Sequence, residues 1–357
     1  MSGHGVQEGR VAYRAERVGA PPAFVRHGAW DRGGWTGPWQ DLPFAATEII
    51  PSWTASTPPG SWIRVELQVP GSQWYVMGRW SHDGPRTSAA GQSDALGRVA
   101  VDVFKPKRPV TRYRLRAWLY APPAEGTPAE GSPAEMSTET SAAEGAGGVA
   151  VRPRLRTLGA VASTPGGGAA RGGVAWGREL AVPRKSQLAH AGHGGGAWCS
   201  PTATAMVIAY WKRGPAPADT RWVAKNDPDP AVDHAARHTF DTRYQGTGNW
   251  AFNTAYAGTF GLDSRVTRMR SLAEAEELIA AGVPVVASLA FAARAFGYGS
   301  SGHLMVITGF TRGGDVIVND PAVRTVRAVY PRAAFERAWR RGSNGTAYVI
   351  RPFRADG

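Results

Sequence analysis

Two segments in the first half of the chain alternate apolar and polar residues with a strict period of two. One runs from Ile63 to Val69, and the other alternates Arg112, Arg114, Arg116 and Trp118 with Tyr113, Leu115, Ala117 and Leu119. This period is that of a β-strand with one buried and one solvent-facing side, and not that of a helix. Turn-forming runs at 58–60 and 70–72 separate such segments at the spacing usual in a sandwich. The first part of the chain is therefore predicted to be an all-β sandwich.

Changes in composition divide the chain further. Residues 121–148 repeat Pro-Ala-Glu and contain no aromatic residue, so this stretch is predicted to be a disordered insertion in the first domain. A second, glycine-rich stretch at 165–173 is the predicted interdomain linker. The expected organisation is a β-sandwich-like accessory domain at 1–163, a linker at 164–178 and a second domain at 179–357. With 43% hydrophobic residues, 357 residues suffice for two packed cores.

Tryptophan is concentrated in the first domain. Eight of the fourteen fall there, namely Trp30, Trp35, Trp39, Trp53, Trp62, Trp74, Trp80 and Trp118. Core packing explains most tryptophans of a sandwich, so we expect these to be mainly buried. Exposed ones would stack on sugars or peptides, which makes a glycan or cell-wall contact the partner to test for this domain.

The second domain contains the only cysteine of the chain. Cys199 stands where a glycine-rich approach enters a helical pattern, with Pro201 in the first turn and Met206 and Tyr210 four residues apart on one face. A thiol at a helix start lies at the positive end of the macrodipole, which favours the nucleophilic thiolate. The alternative is a small buried hydrophobic residue at a helix start.

Residues further along the chain favour the catalytic interpretation. Apolar runs on either side of a turn at 311–314 predict a β-hairpin that brings His303 close to Asp320. His303 would then exchange a proton with Cys199, and Asp320 would orient the imidazole. Gln187, twelve residues before the cysteine, would join the Cys199 backbone N–H in holding an oxyanion.

The choice between Asp320 and its neighbour Asn319 depends on strand register. Only one of two adjacent residues can share the face that carries His303. Pairing His303 with Asp320 sets Met305 opposite Val318 and Ile307 opposite Val316, so that the rest of this face is apolar. We therefore predict that Asp320, rather than Asn319, orients His303.

The order of these motifs resembles a known family. Gln187, the run Trp198-Cys199-Ser200-Pro201-Thr202, Gly302-His303-Leu304-Met305-Val306 and Asn319-Asp320-Pro321 are similar to the papain-like cysteine peptidases related to the bacteriocin-leader-processing enzymes. The similarity spans about 182–352. It implies a papain-like α+β domain in which the glutamine is the oxyanion donor, the cysteine the nucleophile, and the histidine and aspartate its partners.

The resemblance leaves the substrate open. The best-known members are fused to a membrane transporter and cut after a double-glycine leader, whereas this chain has no run of ~20 apolar residues and no phosphate-binding loop. Hydrolysis of a peptide or protein by a Cys-His-Asp relay is the predicted function. The alternatives are an amidase or acyltransferase on cell-wall peptides, and a glycan-binding protein with an inactive peptidase-like domain.

Other partners are not expected. The formal net charge of +13 comes mainly from scattered arginines without a basic run interleaved with aromatics, so nucleic-acid binding is not predicted. His234 and His238, with Asp227, Asp229 and Asp241 nearby, suggest a metal site, but the metallopeptidase glutamate is missing, and no metal or cofactor is predicted.

Two further expectations concern the approach to Cys199 and the compartment. His190 and His193 could rival His303 as the base, but a flexible glycine-rich loop would not hold them in register.

The first ten residues lack an apolar signal core, which predicts a cytoplasmic protein. The resemblance instead implies export, because relatives with this combination of domains are often secreted by actinobacteria.

Overall fold

The computed structural model describes residues 10–19, 22–128, 152–168 and 172–353. Most of the predicted insertion at 121–148 lies outside these ranges, as do residues 169–171 of the predicted linker. The N-terminal part is built from strands: β1 (Val11–Arg17), β2 (Phe24–His27), β3 (Trp30–Thr36), β4 (Gln40–Ala46), β5 (Glu48–Ser56), β6 (Trp62–Gln68), β7 (Tyr75–Trp80), β8 (Gly97–Ala100), β9 (Val103–Pro106), β10 (Val110–Ala121) and β11 (Arg154–Ser163).

These strands form two antiparallel sheets. One has the order β1-β11-β5-β9-β8, and the other has the order β2-β3-β10-β6-β7 with β4 also paired to β10. The alternation predicted for the two sequence segments is confirmed in β6 and β10, where the apolar positions are buried. Buried side chains of both sheets belong to one hydrophobic cluster.

The expectation that the tryptophans of this domain are mainly core residues is wrong. Only Trp53 and Trp80 are buried, and the other six are half-buried. Trp118 shows the reason. It alternates with the buried positions of β10 and so lies on the opposite face of the sheet, where Arg32 and Arg116 stack on its ring.

The C-terminal part mixes helices with a single sheet. Two 3₁₀ helices, Gln187–His193 and Gly195–Ala197, precede α1 (Cys199–Tyr210), α2 (Pro230–Thr239) and α3 (Trp250–Thr259). There follow β12 (Leu262–Arg268), α4 (Leu272–Ala280), β13 (Val285–Phe291), α5 (Ala293–Phe296), β14 (Ser300–Phe310), β15 (Val316–Asn319), β16 (Arg327–Tyr330), α6 (Arg332–Ser343) and β17 (Thr346–Pro352). None of the helices in the described part of the chain is long and apolar enough to cross a membrane.

The sheet of this part has the order β12-β17-β13-β14-β15-β16 and is antiparallel throughout. Side chains from α1, α4 and α6 share its hydrophobic cluster, which therefore fixes the start of α1 against β14. The hairpin predicted after residue 302 is present as β14 and β15, but its predicted register is wrong.

In the structure Ile307 lies opposite Val318, and Phe310 opposite Val316. The hairpin loop contains five residues, 311–315, and a β-bulge follows between Ile307 and Gly309. Together they move β15 by two positions along β14 relative to the prediction. Because a shift of two preserves the face, Asp320 still shares the face that carries His303.

The two parts of the molecule are packed against each other. Trp53 of β5 contacts Phe252 of α3 edge to face with ring centroids 6.2 Å apart, and Phe252 belongs to the hydrophobic cluster of the N-terminal sheets. Arg268 of β12 is buried and donates to Glu48 of β5 and to Ser163 Oγ of β11. The predicted domain limits remain a sequence prediction, but residues 172–179 of the predicted boundary region already hydrogen-bond to the C-terminal sheet, as Gly177 N does to Phe310 O at 3.0 Å.

Candidate active site

Cys199 is the first residue of α1 and is half-buried. The helix begins here because Trp198 is its N-cap and Pro201 in the first turn lacks the N–H that an internal position would need. The Cys199 and Ser200 amides belong to the first turn, whose N–H groups have no partner within the helix. A thiol at this position therefore faces unpaired N–H groups and the positive end of the helix dipole.

His303 lies on β14 and connects Cys199 with Asp320. Its Nε2 is 2.7 Å from Asp320 Oδ1, which leaves Nδ1 for the side-chain hydrogen bond with Cys199. The ring is buried, and burial alone would lower its pKa. The hydrogen bonds with Asp320 and Cys199 more than offset burial and raise the pKa of His303 to about 9.

Asp320 immediately follows β15 and is fully buried. Its Oδ1 accepts from His303 and from the Ala322 backbone N–H at 3.0 Å, and its Oδ2 accepts from the hydroxyls of Tyr298 and Tyr330 at 2.5 and 2.8 Å. Burial by itself would raise the pKa of this carboxyl. The charge and hydrogen bond of His303, together with the Tyr298 and Ala322 donors, instead hold the pKa of Asp320 below its usual range.

Sequence reasoning missed both tyrosines. Tyr298 lies in the loop between α5 and β14, and Tyr330 ends β16, where it pairs with Val316 on the face that carries Asp320. Burial, and then the neighbouring Asp320 charge, raises the pKa of each phenol above its ordinary value, so both remain protonated donors. No local pattern marks these residues, because their role arises only when three separate chain segments meet.

Gln187 begins the first 3₁₀ helix and is buried. Its Nε2 donates to Gly196 O at 3.0 Å, and because an amide nitrogen has two hydrogens, the second remains for another acceptor. Its backbone N–H donates to Pro321 O at 3.0 Å, which ties the glutamine to the residue after Asp320. Asn319 contributes to the same connection, since its Nδ2 donates to Val182 O at 3.1 Å in the irregular segment leading to Gln187.

The other histidines named from the sequence lie away from the relay. His190 and His193 are part of the 3₁₀ helix rather than of an irregular loop, so the reason given for rejecting them as bases is wrong. Both rings face carboxylates of Asp227 and Asp233 instead of Cys199. His303, and neither of these two histidines, is therefore the candidate partner of the Cys199 thiol.

The structure also does not bring together the metal ligands suggested by the sequence, His234 and His238 with three nearby aspartates. Of these three aspartates, Asp229 pairs with Lys185, Asp241 accepts from Ser88 N and Asn249 Nδ2, and Asp227 lies beside His190. His238 instead stacks on His234 and on His82 of the N-terminal part, with ring centroids 3.9 and 4.6 Å apart. Burial, with nearby positive groups, lowers the pKa of His234 to about 3 and that of His238 to about 4, so both rings are neutral.

The histidine stack borders a cavity of about 910 Å³ between the two parts of the molecule. His82 and Asp83 line it from one side and Asp219 and Phe260 from the other. None of the four residues assigned to catalysis lines it. The cavity is therefore separate from the candidate active site.

Two protein-family models match the chain. Residues 4–133 match the Peptidase C39 N-terminal domain, and residues 179–347 match the Peptidase_C39 like family. The chain belongs to the C39-like peptidases. It has two domains, of which the first is mostly β-sheet and the second is the C39-like domain that contains Cys199, His303, Asp320 and Gln187.

Two solved structures are similar to parts of this C39-like protein. A C39-like peptidase from Bacillus anthracis is 15% identical and aligns over 49% of this chain and 98% of its own, with a TM-score of 0.35. A fragment of Prevotella intermedia prointerpain A is 16% identical and aligns over 43% of this chain and 62% of its own, with a TM-score of 0.28. No curated protein matches the chain.

Proposed function

We propose that the chain is a cysteine peptidase in which Cys199, His303 and Asp320 form the catalytic relay of a papain-like domain. The single observation that carries the proposal is the position of His303, whose Nε2 lies 2.7 Å from Asp320 Oδ1 and whose pKa is raised by its interactions with both Asp320 and Cys199. A nucleophile, a base and a group that orients the base are the three parts that acyl transfer needs.

The reaction follows from the protonation states. The Cys199 thiolate attacks the carbonyl carbon of the scissile bond while His303 carries the proton, as its raised pKa favours. His303 then donates this proton to the leaving amine, and the C–N bond breaks to leave a thioester on Sγ. In the second half, His303 takes a proton from water, whose oxygen attacks the thioester and releases the carboxylic acid and the thiolate.

Gln187 and the first turn of α1 form the proposed oxyanion hole. The free hydrogen of Gln187 Nε2 and the Cys199 backbone N–H are donors that come from two rigidly connected segments. Donors held in place before the reaction stabilise the charge that develops on the carbonyl oxygen. Asn319 supports the position of Gln187 and does not orient His303, because its side-chain amide donates to the segment that leads to Gln187.

We propose further that the N-terminal domain is a β-sandwich whose outer face binds glycan. On this face Arg116 stacks on both Trp74 and Trp118, with its guanidinium carbon 4.1 and 5.0 Å from the ring centroids, and Arg114 lies 5.0 Å from Trp74. Guanidinium groups beside half-buried tryptophans favour a glycan that carries carboxylate or phosphate groups over a neutral one. Binding to cell-wall glycan with and without those acidic groups, compared between the full chain and Trp74→Ala, tests this part.

Cleavage of a diverse peptide library by the full chain tests the activity, with Cys199→Ser as the control. We expect new amine termini only with the wild-type thiol, because a hydroxyl at this position lacks the acidity that His303 exploits. Cuts that persist in Cys199→Ser would contradict the proposal. Release of ammonia or transfer to an added amine, without peptide cleavage, would reassign the same relay to an amidase or acyltransferase.

A further inference from the structure

Four side chains outside the relay bring their donor atoms together beside the first 3₁₀ helix. His190 and His193 lie in that helix, Asp227 lies before α2, and Asp233 lies in the first turn of α2. One donor atom from each of the four lies within 4.8 Å of every other. They come from chain segments about 40 residues apart, as the separation of the hydrogen-bonded pair His193 and Asp233 shows.

The distances fit a small cation with four ligands. His190 Nδ1 is 2.9 Å from Asp233 Oδ2 and 3.4 Å from Asp227 Oδ2, and His193 Nε2 is 2.7 Å from Asp233 Oδ1 and 3.7 Å from Asp227 Oδ2. Ligand atoms about 2.1 Å from a tetrahedral zinc ion are separated from each other by about 3.4 Å. The four distances, in which both oxygens of Asp233 take part, lie on both sides of this value.

Unsatisfied buried atoms point to a missing partner in the cluster. His190 is completely buried, and neither of its ring nitrogens makes a hydrogen bond; Asp233 Oδ2, which faces Nδ1, is also unpaired. Buried polar atoms in folded proteins nearly always have a partner. Two ligands of one cation lie close together without a hydrogen bond in this way, because each directs a lone pair at the ion.

The charges favour the same interpretation. The side chains of Asp227 and Asp233 are only 4% and 5% exposed. Among the residues that the structure describes, no arginine or lysine forms an ion pair with either of them, whereas the nearby Asp229 is paired with Lys185. Buried carboxylates without a compensating charge are costly, and a divalent cation supplies that compensation.

We propose that His190, His193, Asp227 and Asp233 form a binding site for a divalent transition-metal ion, with Zn²⁺ as the ion that suits this set of two imidazoles and two carboxylates. Imidazole nitrogen and carboxylate oxygen in a four-coordinate arrangement are characteristic zinc ligands. The second histidine cluster, His82, His234 and His238, also brings one ring nitrogen from each residue within 4.8 Å of the others. It differs in its carboxylate, because the neighbouring Asp83 is 52% exposed and water already compensates its charge.

The site would connect the oxyanion-hole segment to the helical layer. His190 and His193 share the 3₁₀ helix with Gln187, and Asp233 belongs to α2, so the ion fixes the glutamine relative to α2. This consequence for catalysis depends on the function proposed above. Zinc binding itself does not depend on it.

Zinc binding is tested by calorimetric titration of the full chain carrying Cys199→Ser, after treatment with a chelator and removal of the chelator. This background prevents the catalytic thiolate from holding the ion. We expect one Zn²⁺ per chain and a rise in the thermal unfolding temperature on binding. Failure of the chain to bind Zn²⁺, or binding without any change in unfolding temperature, would overturn the proposal.

Three variants in the same background locate the ion. His193→Ala removes a half-exposed ligand without opening the core, and Asp227→Asn keeps the shape of its side chain; both should weaken zinc binding by at least ~100-fold. His82→Ala, in the stacked histidine cluster, is the control and should bind as the parent does. Loss of zinc in His82→Ala, or its retention in both His193→Ala and Asp227→Asn, would assign the ion elsewhere and refute the site.

The effect on catalysis is measured separately with the native cysteine. Removal of zinc should lower kcat by roughly 10-fold, as loss of a supporting interaction does, while the rate of Cys199 alkylation stays unchanged. An equal fall in alkylation would contradict the proposed link through Gln187. Zinc binding without peptide cleavage under any condition would reject the proposed function and leave the metal site standing.

Discussion

The protein contains two clusters in which buried histidine meets buried aspartate, and they differ in how the carboxylate is satisfied. Both oxygens of Asp320 accept hydrogen bonds from donors of the protein, including two tyrosine hydroxyls and a backbone N–H. In the other cluster, Asp233 Oδ2 and both nitrogens of His190 make no hydrogen bond. The same residue types thus form a fully hydrogen-bonded pair in one place and a pair with unsatisfied polar atoms in the other.

The difference shows that the residues around a histidine–aspartate pair determine which chemistry the pair supports. A carboxylate held by fixed donors stays ionised and orients one histidine, which is what a general base needs. A carboxylate that keeps one oxygen free of hydrogen bonds and lies beside two imidazoles is suited to an added cation instead. Substitutions that remove a donor from the first cluster should therefore change the proton chemistry of His303 without changing zinc affinity.

The largest effect is expected from Asp320→Ala. Without the carboxylate, His303 loses its orientation and the charge that stabilises its protonated form, so kcat/KM should fall by about 1,000-fold or more. Steady-state rates on a peptide substrate measure this. Asn319→Ala is the matched neighbour and should lose much less, because Asn319 bonds the Val182 carbonyl and not the imidazole. A greater loss in Asn319→Ala would reverse the assignment.

The same variant tests the direction of the His303 pKa. The folded state raises this pKa to about 9, so activity that needs the imidazolium should fall as the pH rises through about 9 in the wild type. In Asp320→Ala the alkaline limb of the rate profile should move to lower pH, because the main interaction that raises the pKa is gone. By linkage, the stability from this pair is fully present below about pH 6.5 and is lost as the pH rises through about 9. An unmoved alkaline limb would show that another group sets it.

A smaller effect is expected from Gln187→Ala. The amide contacts the oxyanion only in the transition state, so kcat should fall by about 100-fold while alkylation of Cys199 continues at the wild-type rate. Comparing turnover with alkylation in one preparation separates the two. If both fall together, Gln187 supports the thiolate or the fold, and the oxyanion donor must be sought elsewhere, for example among the backbone N–H groups of 194–196.

The smallest effect is expected from Tyr330→Phe, which removes one of four donors to Asp320. At neutral pH the free energy of unfolding should decrease by about 1.5–3 kcal/mol, the range for a hydrogen bond to a charged group. Because the folded state lowers the pKa of Asp320, this contribution exists above about pH 4 and disappears as the pH falls through the folded pKa. Denaturant titrations at pH 7 and pH 3 measure both values, and an equal loss at the two pH values would contradict the role assigned to the hydroxyl.

Much of the fold was predictable because strand and helix periods are local. The sequence predicts the buried faces of β6 and β10 and the helix that starts at Cys199, and all are present. The run Ser271-Leu272-Ala273-Glu274 has the pattern of a capping box at the start of a helix. The helix is present as α4, but the capping box is not formed. The Ser271 hydroxyl accepts no bond, and Glu274 instead accepts from Arg270. Capping depends on side-chain angles that a sequence pattern does not specify.

The shared face of His303 and Asp320 was also predictable, but the register was not. Because the side-chain period is two, His303 and Asp320 stay on one side of the hairpin for any register shift of an even number of residues. The bulge depends on a distant segment. A Cβ at Gly309 would lie 2.1 Å from Arg178 O, so this glycine lets residues 177–180 pair with β14 where β13 has ended.

Contacts between distant segments account for what sequence reasoning missed. Tyr298 and Tyr330 reach Asp320 from two other segments, and Asp233 reaches His193 across 40 residues. Each residue is unremarkable within its own segment. Sequence reasoning considered His190 and His193 as bases and His234 and His238 as ligands, because only neighbours along the chain were available to it.

The central claim is that His303 and Asp320 make Cys199 a nucleophile, and the rate of Cys199 alkylation as a function of pH tests it most directly. Because the chain contains one cysteine, every alkylated thiol is Cys199. Because His303 takes up the thiol proton, we expect alkylation at pH 6 to be many times faster in the wild type than in His303→Ala. Equal alkylation rates in the two proteins at every pH would contradict the claim.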